Sequence, residues 1–468
     1  MKEKKNFKKV LSFSDLFVVA FGAMIGWGWV VSSGEWITKG GILGTIIGFI
    51  LGGIMIFFVG LTYAELTTAM PKCGGEHIFS MKAFGPIGSF ICTWMIILGY
   101  VTVVCFEAVS FPTIIAYIFP DFLQIKLYTI AGFDVYATWL IVAIVMAVII
   151  TIINIIGTKT AAIFQKIFVY LILCTGILLL ITSLFKGNVD NLGGQLFTNA
   201  NSFGGVFNGI ISVALLTPFY FIGFDVIPQT AEEINMPLKK VGKLIIISIL
   251  SAVLFYSLIV LSIGFLMNKG EISQSMSGSG LVTADALKKA FDSEIMAKVI
   301  ILGGLAGIIT SWNSFVIGGS RAIFSMSESN MLPEKLGRLH KKFNTPVWAI
   351  ILIGLLSILS VFFGRNALIW FVNAGNFGCC IAYCIVAMSF FVIRKKYPEM
   401  ERPYKIKRYK IVGFGAMFMS GIMVLLYIIP IFDTALKYQE WIIVIGWIVL
   451  GLVLFLINKL RKNKIEKE

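Results

Sequence analysis

Two acids lie in stretches of the chain that are otherwise apolar. Asp225 lies between Pro218 and Pro228, and Glu107 lies within CFEAVSFP. An acid at membrane depth is costly to bury and is a functional candidate by default. We therefore interpret Asp225 and Glu107 as gating or protonation candidates. A structural pairing remains possible for Asp225, and a satisfied contact near the outer end of its helix remains possible for Glu107.

A pair of glycines interrupts the first apolar segment, where residues 22–34 read GAMIGWGWVVSSG. Gly26 and Gly28 are too close in sequence to share a helix face, and glycine accepts backbone angles that other residues avoid. The pair predicts a local unwinding, which leaves N–H and C=O groups free inside the membrane. Such groups are tolerated only where they line a cavity or bind something.

The elements that hold these residues are predicted to be membrane helices. The chain has 468 residues, is 58% hydrophobic and 13% charged, and has a mean hydropathy of +0.91. Apolar runs of about 20 residues recur, each long enough to cross the hydrocarbon core. Continuous apolar runs also differ from the alternating strands of a membrane barrel. The sequence therefore predicts an all-α polytopic membrane protein.

Twelve membrane spans are predicted, with the polar stretch 269–295 as a flexible loop and a short amphipathic helix over the outer mouth. Most of the 39 Lys and Arg residues fall on the side of the basic N-terminus. This positive-inside pattern places the termini, 1–12 and 460–468, in the cytoplasm and the protein in the cell membrane. The predicted spans are 13–37, 42–68, 86–119, 137–157, 160–185, 205–230, 240–268, 297–325, 345–364, 366–393, 411–432 and 440–459.

The residue inventory argues against several classes of function. The net charge of +15 follows the loops of one face, which argues against a nucleic-acid partner. His77 and His340 are the only histidines and are expected in cytoplasmic loops, so a transition-metal site has little support. An enzyme would need convergent catalytic groups, and no nucleophile motif is present. We expect neither catalysis nor an organic cofactor.

The sixth predicted span is also interrupted. Residues 217–233 read TPFYFIGFDVIPQTAEE, in which each proline removes a backbone donor. Spans 1 and 6 each open a possible five-span half, and interrupted helices at matching places in two repeats mark the substrate site of secondary transporters. A channel would instead need a continuous polar pore. The pattern therefore favours alternating access over a channel.

Four stretches of the chain, in matching order, resemble the amino acid–polyamine–organocation superfamily of permeases. The resemblance covers nearly all of the chain and implies the leucine-transporter-type fold. That fold has an inverted repeat of five plus five spans, over 13–185 and 205–393, with discontinuous spans 1 and 6. Two extra spans follow over 411–459. The matching stretches are GAMIGWGWVVSSG, YAELTTAMPKCGGEHIFSMKAFGPIGSF (63–90), FYFIGFDVIPQTAEEINMPLKKV (219–241) and GGSRAIFSMSESNMLP (318–333).

The resemblance implies a substrate carboxylate at the break in span 1. The half-helix N-terminus around Gly26, Trp27 and Gly28 would offer free N–H groups and a positive dipole end. Family members commonly carry a small residue between these two glycines, whereas this chain has Trp27. The indole would either shrink the pocket or stack on the substrate, or it would serve only in packing.

The resemblance also implies where the ammonium group of the substrate would bind. The matching carbonyl groups are those of Ala23 in span 1 and of Phe219 and Ile222 in span 6. Phe219 and Phe224 are interpreted as an apolar gate and side-chain pocket, with ordinary core packing as the alternative.

The coupling ion is inferred from the same resemblance. Sodium-coupled relatives place paired hydroxyls in span 8, which join carbonyl groups of span 1. The matching residues are Thr310 and Ser311, with the carbonyl groups of Ala23 and Gly26, and oxygen ligands suit a hard cation. The alternative is that the hydroxyls bond back to their own helix. A lysine that replaces sodium in some relatives matches Ile172 here, so sodium is the first expectation and proton coupling or exchange the alternative.

The expected function is cation-coupled uptake of a neutral amino acid by a bundle of spans 1, 2, 6 and 7 that rocks against a scaffold. Asp225 and Glu107 leave a cationic amine as the second candidate substrate. The same fold could also serve an exchanger or a non-transporting amino acid sensor. The expected partners are the small-molecule substrate and the lipid bilayer, and a homodimer through spans 11 and 12 is left open.

Further polar residues in the spans have two interpretations each. Glu65, Glu232 and Glu233 lie near cytoplasmic helix ends and are expected to form inner-gate or structural ion pairs. Asn373 and Asn376 in span 10 are expected to line the pathway or to hydrogen-bond between helices.

Overall fold

The computed structural model describes residues 7–432 and 434–465. The outer ends of the two predicted cytoplasmic termini, 1–6 and 466–468, lie outside the described residues. The described chain is almost entirely helical. Its helices are Phe13–Met24, Gly28–Val31, Ser33–Ala69, Glu76–Ile118, Ala137–Ile156, Thr158–Lys186, Phe203–Leu216, Val226–Gln229, Leu238–Leu266, Lys269–Ser277, Val282–Phe291, Glu294–Glu328, Val347–Ser360, Gly364–Lys396, Tyr409–Ile428 and Tyr438–Ile465.

The described helices account for twelve membrane spans. Ten are long and apolar enough to cross a bilayer, and two shorter apolar helices, Phe13–Met24 and Val347–Phe363, supply spans 1 and 9. Gly41 (φ 75°) divides the helix Ser33–Ala69, so that span 1 ends before it and span 2 begins after it. A Cβ at Gly41 would lie 2.7 Å from the Leu196 carbonyl oxygen, so the turn needs glycine. The predicted polytopic all-α fold is confirmed.

Span 1 is broken where the glycine pair predicts. Its first half, Phe13–Met24, begins with a capping box in which Ser12 and Asp15 satisfy each other's backbone N–H groups. The helix ends at Ile25 (φ −96°, ψ 84°) and resumes at Gly28. Ser32 keeps a near-helical backbone, so the second half continues from Gly28–Val31 to the bend at Gly41.

Span 6 is broken at the matching depth. The helix Phe203–Leu216 passes into the 3₁₀ turn Thr217–Phe221, and the chain becomes helical again at Val226–Gln229. Gly223 adopts φ 136°, and a Cβ there would lie 2.6 Å from the Cβ of Ala23. The two breaks therefore touch each other, and the absent side chain of Gly223 is what permits the contact.

The remaining spans enclose the two breaks. Span 3, residues 86–118 of the helix Glu76–Ile118, packs against span 8 (Glu294–Glu328) and span 10 (Gly364–Lys396). The last span, Tyr438–Ile465, packs on span 3 through stacked Trp94 and Trp447 rings, whose centroids are 4.4 Å apart. The outer faces of spans 4, 5 and 12 carry exposed aliphatic side chains, as expected of surfaces in contact with lipid.

Three local features differ from the sequence-based expectations. A two-stranded hairpin, Lys126–Ile130 with Phe133–Tyr136, joins spans 3 and 4, although the sequence analysis predicts no strand. In the polar stretch after span 7, the helix Val282–Phe291 agrees with the expected amphipathic helix, whereas the helix Lys269–Ser277 replaces the expected flexible loop. Thr283 donates a hydrogen bond to the Trp29 carbonyl (2.8 Å). His77 is buried in the first turn of a helix, because Ser89, Thr93 and Ser329 satisfy its ring nitrogens.

Candidate functional site

A cavity of about 620 Å³ lies at the two helix breaks. It extends from the breaks to the segment 434–440, at the face where spans 11 and 12 meet. The structure thus brings together eight of the residues proposed from the sequence for substrate, ion or gating roles. Those in the cavity wall are Ala23, Gly26, Trp27, Gly28, Glu107, Phe219, Ile222 and Ser311.

Three proposed site residues do not line this cavity. Phe224 is fully buried between the rings of Tyr63 and Tyr383, in the half of the molecule nearer the N-terminus. Asp225 is fully buried beside it. Thr310 faces the first half of span 1, because a Cβ on Gly22 would lie 2.8 Å from the Thr310 Cβ. The helical turn thus places Thr310 and its neighbour Ser311 on different sides of span 8.

Backbone donors at the break in span 1 are free to bind a ligand. Within the described chain, neither the Gly26 nor the Trp27 N–H has a hydrogen-bond acceptor. Both groups precede the helix that begins at Gly28, so its positive dipole end lies at the same place. Helix N-termini of this kind favour carboxylate or phosphate oxygens. The break can therefore accept an anionic group.

The carbonyl groups proposed for an ammonium group differ in their availability. The Phe219 carbonyl accepts a hydrogen bond from the Ile222 N–H (3.3 Å), which closes the 3₁₀ turn of span 6. The Met24 carbonyl accepts one from the Tyr256 hydroxyl (2.8 Å). Within the described chain the carbonyls of Ala23 and Ile222 have no donor. These two are the better placed to receive a substrate donor.

The Glu107 carboxyl lies beside the break in span 1. A Cβ on Gly26 would lie 3.6 Å from Glu107 Oε1 and 3.9 Å from the Ser311 Cβ. Glu107 is only 5% exposed, and its Oε2 has no hydrogen-bond partner in the described structure. The Glu107 carboxyl therefore differs from the predicted alternative of a fully hydrogen-bonded contact near the end of its helix. Instead, a buried carboxyl with one unpaired oxygen faces the cavity.

The Trp27 indole both lines the cavity and packs on the scaffold. A Cβ on Gly304 of span 8 would overlap ring carbons Cε3 and Cζ3 of Trp27. The indole therefore occupies the space that a larger residue at position 304 would fill. Trp27 reduces the cavity and holds span 1 against span 8 at the same time.

Thr310 takes part in a buried polar network. Its hydroxyl donates to the Gly307 carbonyl of its own helix (3.0 Å), as the structural alternative predicted. Gln165 of span 5, which the sequence analysis did not single out, donates from Nε2 to the carbonyls of Thr310 (3.0 Å) and Val18 (3.3 Å). Its Oε1 accepts from the Asn313 amide (2.7 Å). The first half of span 1 is thereby hydrogen-bonded to spans 5 and 8.

The mouth of the cavity contains Asn373 and Asn376, which were expected along the pathway, and Glu440, which had no assigned role. Glu440, at the start of span 12, accepts hydrogen bonds from the Asn373 amide (2.6 Å) and from the Lys437 N–H (2.6 Å). Asn376 is buried and its Oδ1 has no partner in the described chain. An acid at a helix start is an ordinary N-terminal feature, so nothing in the sequence marked Glu440 as part of this wall.

The opposite end of the molecule is closed by hydrogen bonds and ion pairs. The Glu233 carbonyl accepts from the Val10 and Leu11 N–H groups (2.9 Å each), and its carboxylate accepts from Arg321 (2.9 Å). Asp15 pairs with Lys159 (2.6 Å) and also with Lys166. None of these residues lines the cavity. The cavity is therefore open toward the 434–440 face and sealed toward the N-terminal face.

Comparisons with known proteins cover nearly the whole chain. The family described as "Amino acid permease" matches residues 11–453. The chain is 26% identical to the branched-chain amino acid permease BcaP of Bacillus subtilis (strain 168) over 475 residues, which cover 99% of this chain and 96% of that protein. It is 23% identical to the methylthioribose transporter of the same organism, with 99% and 96% covered. It is 26% identical to that organism's aspartate–proton symporter, with 88% and 78% covered.

Proposed function

Since the chain belongs to the amino acid permease family, we propose that it is a secondary active transporter that carries an amino acid across the membrane by alternating access. The observation that carries this proposal is a cavity at both helix breaks that is open to one face and sealed from the other. A pathway sealed at one end in each state is what alternating access requires, and interrupted helices provide the binding groups.

The substrate proposed first is a neutral amino acid. The free N–H groups of Gly26 and Trp27 would hold its carboxylate, and the carbonyls of Ala23 and Ile222 would hold its ammonium group. These backbone groups recognise what all amino acids share, so the side chain of the substrate would be selected by the cavity wall. The relatives' names range from branched-chain amino acids to methylthioribose and aspartate, so they do not identify one substrate.

A cationic amine is the second candidate because of Glu107. Burial of a carboxyl costs free energy unless both oxygens are hydrogen-bonded or paired, and one oxygen of Glu107 has no partner in the described structure. An ammonium or guanidinium group of the substrate would supply it, and so would a proton on Glu107. Uptake of lysine or arginine that exceeds uptake of leucine, and that is lost in Glu107→Gln, would favour the amine.

We propose coupling to a cation, with sodium and the proton as the two candidates. A sodium ion would use the carbonyls of Ala23 and Gly26 and the hydroxyls of Thr310 and Ser311. Gly307 supports this arrangement, because its lack of a side chain lets span 8 approach the Gly26 carbonyl. The intrahelical bond of Thr310 weighs against it. A proton is supported by the relative named as an aspartate–proton symporter.

The rocking motion would have to break the polar network around Gln165. Spans 5 and 8 belong to the proposed scaffold and span 1 to the moving bundle, and Gln165 ties Val18 of span 1 to both. With the N-terminus in the cytoplasm, as the positive-inside pattern predicts, the described state faces outward. We infer that inward opening separates the first half of span 1 from Gln165.

Uptake into proteoliposomes tests the proposal. The label is a radioactive mixture of the twenty amino acids, and the four conditions are an inward sodium gradient, an inward proton gradient, internal amino acids alone, and no gradient. Sodium-dependent uptake that is lost in the double variant, Thr310→Ala and Ser311→Ala together, would establish a sodium symporter. The matched control is Ser262→Ala, whose hydroxyl bonds only to its own helix in span 7.

The remaining outcomes separate an exchanger, a sensor and a channel. Uptake that needs internal amino acid and ignores both ions would establish an exchanger. Binding without flux under all four conditions would establish a sensor. Flux that neither saturates nor counterflows would contradict alternating access and favour a channel.

A further inference from the structure

Two carboxyl groups lie close together outside the cavity wall, on the sealed side of the breaks. Glu76 begins the helix Glu76–Ile118, and Asp225 lies in the break of span 6 immediately before the helix Val226–Gln229. Both side chains are fully buried, and the start of Glu76–Ile118 contacts the helix Val226–Gln229, because a Cβ on Gly75 would lie 2.8 Å from the Pro228 Cβ. Neither has a place in the substrate site described above.

The two carboxyl groups have different hydrogen bonds. Asp225 accepts one bond at each oxygen, from the Tyr100 hydroxyl (2.5 Å) and from the Gly223 N–H (2.8 Å). Glu76 accepts a bond from the Gln229 amide at Oε2, while its Oε1 has no partner in the described structure. Two donors stabilise the charged form of Asp225. The unpaired Oε1 of Glu76 is the oxygen that is available to bind a proton.

Among the described residues, neither carboxyl group has a cationic partner. The ion pairs among the described residues include neither Glu76 nor Asp225. A buried ion without a counter-ion carries a large desolvation cost, and two neighbouring buried carboxyls cannot both ionise without mutual repulsion. The titratable groups that face the pair are Tyr63 of span 2, Cys92 and Tyr100 of span 3, and Cys379 and Tyr383 of span 10.

We propose that Glu76 and Asp225 form a proton-binding site that couples amino acid transport to the movement of one proton. The proposal rests on the transport function proposed above and identifies the coupling ion as the proton. The proton is held on Glu76 Oε1 next to the Asp225 carboxylate. Once the N-terminal face has opened, the O–H bond of Glu76 breaks, its electron pair stays on the carboxylate, and water that enters from that face takes the proton.

The position of the pair explains how the proton acts on the substrate site. The Asp225 carboxylate holds the Gly223 N–H, and Gly223 touches Ala23 at the other break. Tyr100, which donates to Asp225, packs against the cavity-lining Phe315 with ring centroids 5.5 Å apart. Loss of the proton places two negative charges side by side. Their repulsion displaces span 6 at Gly223 and weakens substrate binding at the two breaks. The neutral form of Glu76 therefore carries the substrate between the two faces, and loss of the proton releases the substrate at the N-terminal face.

The decisive variant is Glu76→Gln, which keeps the shape of the side chain and cannot exchange a proton. One pH unit is a tenfold proton gradient, so one coupled proton drives at most about tenfold accumulation. In proteoliposomes, we expect an inward gradient of one pH unit to drive accumulation by the wild type toward that limit. Glu76→Gln should give no accumulation while it still exchanges external label for internal amino acids. Glu399→Gln, which removes an exposed carboxyl after span 10, is the control and should accumulate as the wild type does.

The outcomes distinguish the proton site from the transport function. If the wild type exchanges amino acids and ignores the pH gradient, the proton site is wrong and the transporter stands. If the wild type neither accumulates nor exchanges any of the twenty amino acids, the transport function fails. Proton-driven accumulation that persists in Glu76→Gln overturns the assignment. Loss of both activities in a Glu76→Gln protein with wild-type thermal stability also overturns it, because Glu76 would then serve translocation itself.

A second variant guards against a Glu76→Gln protein that does not fold. Tyr63→Phe removes a hydroxyl next to the Glu76 carboxyl and keeps the ring packing of Tyr63 against Phe79 and Phe224. Because that hydroxyl favours the ionised form of Glu76, its removal should raise the pH midpoint of uptake. A midpoint equal to that of the wild type, in a stable protein, would contradict the proposal.

Discussion

The contact between the two helix breaks predicts a severe effect of Gly223→Ala. A Cβ at position 223 would lie 2.6 Å from the Ala23 Cβ, 2.9 Å from the Ala23 carbonyl carbon and 3.0 Å from the Met24 nitrogen. Ordinary contacts between carbon atoms are about 3.5–4.0 Å, so the breaks must separate by about 1 Å. Two of the three obstructing atoms belong to the backbone, and they cannot avoid the overlap by a change of rotamer.

The cost of Gly223→Ala has two parts. The backbone angle φ 136° strains a residue with a side chain by about 1–3 kcal/mol. Overpacking adds about 1–3 kcal/mol. A misplacement of about 1 Å at a positioned site can cost about 100-fold in rate. We therefore expect both a lower melting temperature and uptake reduced about 100-fold relative to the wild type.

Two glycines elsewhere in the chain separate these contributions. Gly280 has φ 69° with open space around it, so Gly280→Ala measures backbone strain alone. Gly421 has open space and no unusual φ, so Gly421→Ala measures the substitution itself. Melting in detergent and uptake in proteoliposomes are measured for all three variants. Gly223→Ala uptake that equals Gly280→Ala uptake would refute the argument that contact between the breaks sets the substrate site.

Three further variants test other parts of the site. Gly304→Ala should push the Trp27 indole into the cavity and weaken substrate binding about tenfold. In a Trp27→Ala background the same substitution should not weaken binding, and a double-mutant cycle measures this coupling. Glu107→Gln should leave the melting temperature unchanged or raise it, since it replaces a buried ionisable carboxyl that has an unpaired oxygen. It should also change the pH dependence or the amine preference of uptake. Unchanged uptake at every pH and for every amine would make Glu107 a structural residue. Arg321→Ala leaves Glu233 buried without its partner, so stability should fall by about 3–5 kcal/mol, and a cysteine probe at the N-terminal face should become more reactive. A closed face in that variant would show that the ion pair does not seal it.

The sealed face and the open cavity give the described state its direction. Polar contacts between the segment before span 1, span 6 and span 8 close the N-terminal side, whereas the 434–440 segment forms part of the wall on the open side. Spans 11 and 12 therefore contribute to the cavity and not only to the outer surface of the molecule. A substitution in segment 434–440 can thus alter access to the site without touching the breaks.

The sequence by itself determined the membrane architecture and the two breaks. Long apolar runs require helices in lipid, because no water is present to satisfy the backbone. The break at Gly223 follows from local chemistry, since few residues other than glycine accept φ 136°. Gly26 and Gly28 also mark a break, although neither has a positive φ and Gly28 is needed for the close approach of the Tyr220 ring. Both kinds of inference use neighbours in sequence, which is why they required no knowledge of the packing.

Only the tertiary structure decided which side chains meet. Gly26, Glu107 and Ser311 come together from three spans, and Thr310 turns away from its own neighbour. A membrane helix is apolar on nearly every side, so its sequence carries little of the periodic signal that would reveal which face points inward. The pairing of Glu76 with Asp225 was hidden for the same reason. Helix rotation sets these contacts, and rotation follows from the packing of all twelve spans together.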